Sequence, residues 1–183
     1  EGLVFDNGRL KGASYNEDRG FGLRAVAGEA VGYAHSGEMT VGALKRASAA
    51  VRAVQTGYSG KYSEAPQRTN RKLYDDVNPI DGPGFEEKVK LLQEIDAYLR
   101  AKDPKVRQVS VSLGASHQIV EILRADGHLV ADVRPLVRIS ISVVVGEGDR
   151  QETGSYGAGG RRGFGEFIAA DAWRFGADEA LRQ

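Results

Sequence analysis

The spacing of hydrophobic and polar residues changes period several times along this chain, and each change marks a different kind of element. From residue 3 to 36 apolar positions alternate with polar or small ones, the period of two expected of half-buried strands. "FDNGRL" carries Asn7-Gly8, a pair whose tolerance of positive φ suits a two-residue hairpin turn. Phe21, Leu23 and Ala25 alternate before Ala27-Gly28-Glu29, and Val31, Tyr33 and His35 alternate after it. A second hairpin is expected there.

The period then lengthens. Thr40 reads as a helix N-cap, and Val41, Leu44, Ala47, Val51 and Val54 follow at the three- and four-residue steps of a one-sided apolar stripe. Gly57 is the expected stop. Residues 57–84 carry glycine, proline and charge with little periodicity. A link of this length inside a compact domain is expected either to be mobile or to pack on something the chain lacks. A second helix follows, with Pro83 near its start, Glu86 and Glu87 in its first turn, and Phe85, Val89, Leu92, Ile95 and Leu99 as its stripe. Lys102 and Pro104 mark its end.

From 105 the period returns to two. Val109, Val111 and Leu113 alternate with Ser110 and Ser112; "HQIVEILR" and "HLVADVR" flank the turn "ADG", which is expected to place residue 125 opposite 128. Beyond Pro135, the residues Val137, Ile139, Ile141, Val143 and Val145 form the longest alternating run, with Arg138, Ser140 and Ser142 on the other phase. "GEGD" turns the chain and "RQETGSY" is placed to pair back. From about Phe167 to Gln183 the tail is helical and amphipathic. The sum is an α+β fold: mostly antiparallel sheet, two long helices packed on it and a C-terminal helix.

Composition narrows the chemistry. Lys plus Arg and Asp plus Glu each number 25, so the net charge is zero, and neither nucleic acid nor a membrane surface is an expected partner. With no cysteine, disulfides, thiolate catalysis and cysteine-ligated zinc are excluded within these 183 residues, and a reducing, cytoplasmic setting fits. No apolar run approaches the roughly 18–20 residues that span a bilayer.

The glycine-rich stretch "GSYGAGGRRGFGEF", 154–167, invites a phosphate-loop reading and fails it. A P-loop needs lysine and then serine or threonine after the glycines, and "GAGGRRG" is one residue too long for a dinucleotide loop. A single "GGRRG" in a neutral chain is a weak nucleic-acid signal. Bulges, tight bends or close backbone approach at a strand end account for the glycines more simply. His35, His117 and His128 show no metal-ligand spacing, the strand serines no nucleophile elbow, and Asp75-Asp76 and Glu86-Glu87 are adjacent and diverge. By residue chemistry alone the chain offers no catalytic residue and no metal ligand set.

The order of the motifs adds a resemblance. "GFGLRAVAG" (Gly20 to Gly28), "GYAHS" (Gly32 to Ser36), "ADGHLVADVRPLVRISISVVV" (125–145) and "GSYGAGGRRGF" follow one another as in the TldD/PmbA family, also called modulators of DNA gyrase, and the chain resembles the TldD branch more. That resemblance implies a zinc metallopeptidase that degrades or trims unfolded peptides, paired with a TldE/PmbA-like subunit. Its zinc motif, H-E-x-x-x-H with a distal cysteine, belongs to a C-terminal catalytic domain and is not in this sequence. The chain is therefore expected to be a truncated N-terminal domain, 1–183, that encloses substrate and contacts the partner, inactive alone, with zinc implied only for the full-length protein. Arg138, Tyr156, Arg161 and Arg162, on strand 136–145 and segment 150–163, are the expected peptide- or partner-contacting residues. The alternative is a non-enzymatic binding module associated with nucleic acid or DNA gyrase, resting on Arg161-Arg162 and "QRTNRK" at 67–72, with zero net charge against it.

Overall fold

The structure, a computed structural model, describes residues 1–52, 54 and 72–183. It divides into two compact units, Asn16–Gln67 and the combination of Glu1–Tyr15 with Arg68–Gln183.

The smaller unit contains β3 (Phe21–Ala27), β4 (Ala30–Ser36) and helix α1 (Val41–Arg52). β3 and β4 pair antiparallel around Gly28-Glu29, with Gly28 at φ 61°. Thr40 caps α1 as expected, its Oγ1 accepting the Ala43 N–H at 3.2 Å. The buried face of α1 differs from the expected stripe. Ala43, Ala47 and Val51 are buried, while Val41 and Leu44 are exposed. Close approach explains the choice: a Cβ on Gly32 of β4 would stand 3.2 Å from the Val51 carbonyl oxygen, so the helix meets the hairpin through its small residues. Gly57, the expected helix stop, and most of "QRTNRK" lie outside the described residues.

The larger unit is a five-stranded, wholly antiparallel sheet with helices on one face. β1 (Gly2–Asp6), β2 (Arg9–Ser14), β5 (Val106–Leu123), β6 (Leu129–Glu147) and β7 (Arg150–Gly160) lie in the order β2-β1-β5-β6-β7. Asn7 (φ 52°) and Gly8 (φ 77°) turn β1 into β2, both left-handed as a type I′ turn requires. The odd-numbered phase of β5 and β6 is buried, with Val109, Val111, Ile139, Ile141 and Val143 at 2% exposure or less. Each such side chain contributes on the order of 1.5–3 kcal/mol by leaving water.

Helix α2 (Phe85–Lys102) supplies Leu92, Ile95 and Leu99 to this core, as its pattern predicts. Phe85, expected on the same stripe, is exposed, and Lys88 and Asp96 are buried instead. Both are partnered. Lys88 Nζ lies 2.6 Å from Glu1 Oε2 and 5.4 Å from the Phe164 ring centre, and Asp96 accepts from Arg100 Nε at 3.1 Å. Part of the expected link, 57–84, lies outside the described residues. Its final part is packed: Pro79 is buried in a 3-10 turn (Pro79–Asp81) and Ile80 sits against the core.

The tail forms a four-residue turn of helix, α3 (Gly165–Ile168), and then α4 (Ala170–Arg182), which lies on β7 and β6. This contact is close and uses glycine on both sides. A methyl at Gly154 of β7 would overlap the Ala180 carbonyl of α4, and one at Gly176 of α4 would strike the Tyr156 ring of β7. Ala177, fully buried, lies in the same turn of the helix. A methyl at Gly159 would likewise overlap the Val137 carbonyl of β6. The glycine-rich stretch is therefore built for close backbone approach.

Gly154→Ala and Gly159→Ala are each expected to lower the unfolding free energy by about 1–3 kcal/mol in urea denaturation. Gly157→Ala, whose methyl would meet the Arg138 side chain at 3.4 Å and the Ile139 carbonyl oxygen at 4.0 Å, both ordinary contacts, is expected to change it by less than about 0.5 kcal/mol.

Candidate functional site

Arg138, Tyr156, Arg161 and Arg162 do not form one cluster. Arg138 sits on the face of the sheet opposite the helices. There Ser110, Ser142 and Ser155 form one cross-strand row, Ser112, Ser140 and Gly157 the next, and Gly114, Arg138 and Gly159 a third. Its guanidinium, with a glycine on either side, donates from Nε to Ser140 Oγ at 3.1 Å. Tyr156 lies opposite Ile141 in the ladder and so on the helix-covered face, edge-on to Phe175 of α4 at 5.9 Å. It packs the helix onto the sheet.

The two adjacent arginines part company just past the end of β7. Arg162 is ion-paired to Glu166, one helical turn ahead. Arg161 has no carboxylate partner among the described residues; its guanidinium stands 5.5 Å from the centre of the Tyr74 ring. That placement puts Arg161 at the mouth of a groove of about 800 Å³.

The groove exists because β5 and β6 outrun their neighbours. β1 pairs with β5 only over Ser110–Gly114, and β7 pairs with β6 only from Val137 on. Beyond these limits the two strands continue as a two-stranded ribbon, with His117 opposite Pro135 and Leu123 opposite Leu129. Pro135, expected to divide two runs, lies inside one continuous strand. Among the described residues β6 has a single neighbour at that point, and a residue without an N–H is tolerated where no described strand would pair with that group. The ribbon is apolar on both phases: Ile119, Ile122, Leu123 and Leu129 are all more than half exposed. An isolated ribbon is marginal in water, and here the segment Lys72–Asp76 faces one side of it across the groove.

On the β5 side only Val120 and Ile122 line the groove, whereas on the β6 side five consecutive residues do, Val130 to Arg134. Val130, Asp132 and Arg134 share one face with Val120 and Ile122, and Ala131 and Val133 carry the lining round to the edge of β6 that no described strand pairs with. Two of its charges are neutralised locally, Lys72 by Asp76 at 2.5 Å and Arg134 by Asp132 at 2.6 Å. Arg161 is the charge left over. Of the lining residues the sequence singles out Arg161 and, within "QRTNRK", Lys72; for the others "IVEIL" carries a signal, since apolar residues on both phases belong to a strand covered on both sides.

The ribbon turn also differs from the expected register. Arg124, not residue 125, opposes His128, with its N–H donating to the His128 carbonyl at 2.9 Å. Gly127 at φ 84° donates to the Arg124 carbonyl, which makes a three-residue loop with a glycine bulge. Asp126 Oδ1 accepts the His128 N–H at 3.0 Å. That hydrogen bond, assisted by Arg124, holds the Asp126 carboxyl below its ordinary value of 3.8. His117 and His128 stand at opposite ends of the ribbon, and among the described residues no three His, Cys, Asp or Glu side chains converge as a metal site. The residues described do not supply the donor set that zinc requires.

Comparison with known proteins gives this architecture its context. The sequence pattern of the PmbA/TldA metallopeptidase domain 1 matches residues 1–58, and that of the PmbA/TldA metallopeptidase central domain matches residues 78–183. A metalloprotease TldD homolog of Haemophilus influenzae is 38% identical over the whole chain, which spans 39% of that relative. One from Buchnera aphidicola of the aphid Acyrthosiphon pisum is 33% identical over 93% of the chain, which spans 36% of it. Among solved structures, TldE from Thermococcus kodakarensis superposes on 99% of the chain with a TM-score of 0.70 at 14% identity, over 40% of its own length. A Thermotoga maritima protein described as a modulator of a DNA gyrase does so on 98%, with a TM-score of 0.71 at 14% identity, over 41% of its length. At that identity the structures speak to fold. The domain patterns and the sequence relatives go further, and the chain belongs to the TldD/PmbA metallopeptidase family. No described helix is long and apolar enough to cross a membrane.

Because the folded Asp126 carboxyl is held low, its contribution to the turn is present above pH 3.8 and is lost as pH falls through the lower folded value. The His128 amide proton is expected to titrate with a midpoint below 3.8 by NMR, and Asp126→Asn is expected to remove that titration.

Proposed function

We propose that this chain is the N-terminal part of a TldD-type zinc metallopeptidase, that it encloses an unfolded peptide and contacts a TldE/PmbA-like subunit, and that hydrolysis takes place elsewhere in the protein. The observation that carries the reading is the 38% identity to a metalloprotease TldD homolog along the whole chain, which spans only 39% of that relative's length. The separation of roles is supported by the composition of these 183 residues, which hold no cysteine. In this reading zinc activates water on ligands outside these 183 residues, and the cytoplasm is the compartment.

The peptide-handling role is supported by the open edges of the larger sheet. β2 and β7 are its outer strands and the β5–β6 ribbon extends past both of their neighbours, so backbone N–H and C=O groups are available to an extended chain. Strand addition reads backbone rather than side chains, as an enzyme acting on unfolded peptides requires. A nucleic-acid role draws little from the same surfaces. Of its cationic residues, Lys72 and Arg162 are engaged by Asp76 and Glu166.

The full-length protein, with its TldE/PmbA-like partner, is expected to cleave an unfolded peptide in a chelator-sensitive manner. Residues 1–183 with added zinc are expected to give no turnover above background. Robust chelator-sensitive cleavage by the 183-residue chain alone would overturn the division of labour.

A further inference from the structure

The free edge of β6, from Leu129 to Leu136, is shaped to receive one particular kind of strand. β7 leaves the sheet at Gly160, whose partner is Val137, so the lane beside β6 beyond that point is empty of described strand. The groove adjoins this lane: its lining follows β6 from Val130 to Arg134, reaches Val120 and Ile122 of β5 across one face of the ribbon, and is completed by Leu73 and Tyr74. An extended segment laid in it would exchange main-chain hydrogen bonds with β6 and cover apolar surface on the ribbon, where Ile122 is 54% and Leu73 73% exposed.

Charge selects among such segments. Within the groove Lys72–Asp76 and Arg134–Asp132 are closed ion pairs, so each cancels. Arg161 is not cancelled, and it is held by Tyr74 at the end where β7 departs. Its neighbour Arg162 is neutralised by Glu166, so the surplus belongs to one residue. A guanidinium on an aromatic ring, beside an apolar floor and an open strand edge, recognises a carboxylate on the incoming strand.

We propose that the groove between Lys72–Asp76 and the free β6 edge binds an extended peptide by strand addition, and that Arg161 selects peptides bearing a carboxylate. The choice of peptide as ligand rests on the reading above; the site and its preference are new. Of the two stretches the sequence singles out, 136–145 and 150–163, the groove takes Arg161 from just past the second strand and adds the ribbon beyond the first.

The test uses the 183-residue chain at low salt and two C-terminally amidated peptides of alternating threonine and valine, labelled with a carboxylate-free dye and identical except for one central glutamate or glutamine. The glutamate peptide is expected to bind about tenfold more tightly. Arg161→Gln is expected to erase the difference, Arg161→Lys to preserve its direction, and Arg162→Gln to leave it intact. In NMR, the amide shifts caused by peptide are expected at Val130 to Arg134. Equal affinity for the two peptides, a preference that survives Arg161→Gln, or no binding up to millimolar peptide would each overturn the proposal. So would shifts confined to β2 or to the serine face, or self-association through the β6 edge in sedimentation. These outcomes leave the cleavage assay of the full-length protein untouched, so a misplaced groove is distinguishable from a mistaken peptidase reading.

Discussion

The register of β5 against β6 is the constraint on which the larger unit depends. Pairing runs without interruption from Gln108 opposite Val144 to Leu123 opposite Leu129. Because side chains alternate strictly along a strand, a slip by one residue would carry the valines and isoleucines of the slipped strand to the face where the other presents its serines. The three-residue loop with Gly127 in the left-handed region fixes the register at one end. At the other, burial fixes it, since Val109, Val111, Ile141 and Val143 must all meet the helices. Everything else is then placed: β1 and β7 add to the hairpin over part of its length, and the part they leave uncovered becomes the ribbon.

A second constraint is distance. Helix α4 can lie on β7 only because Gly154 and Gly176 remove side chains from opposite sides of the same contact. The sequence shows six glycines between 154 and 167 and invites a search for ligands. The structure gives Gly154 and Gly159 packing reasons and leaves Gly157 without one. The dense glycine run is thus a set of separate requirements that share one short strand and its exit.

Much of this was legible because periodicity reports which face meets the core. The Asn7-Gly8 hairpin, the Thr40 cap, Leu92, Ile95 and Leu99, and the alternation through Val137 to Val145 all follow from pattern alone. The misses share a cause. Val41, Leu44 and Phe85 are large, apolar and on the expected stripes, but burial is decided by fit. Where a helix comes close to a strand, Ala43 and Ala47 fit and Leu44 does not. Asp96 is met by Arg100 one helical turn ahead, a spacing the sequence does contain, whereas Lys88 goes inward because Glu1, 87 residues away and outside any local window, meets its charge. The groove was illegible for the same reason, since it joins residues near 74, 120, 130 and 161 that no local window contains.

Arg161 and Arg162 show most directly what sequence leaves undecided. As a dipeptide they are equivalent, and both were assigned to contact a partner. The chain then turns into α3, which sets Glu166 within reach of Arg162 and leaves Arg161 over the Tyr74 ring. An exposed ion pair one helical turn apart is worth only about 0.3–0.5 kcal/mol, too little to organise the fold. It is enough to change what each arginine offers, because a cation already facing a carboxylate gains little from a second one. Function in this region therefore depends less on how many arginines the stretch holds than on which one the local helix leaves without a counter-ion, and on the open strand edge beside it.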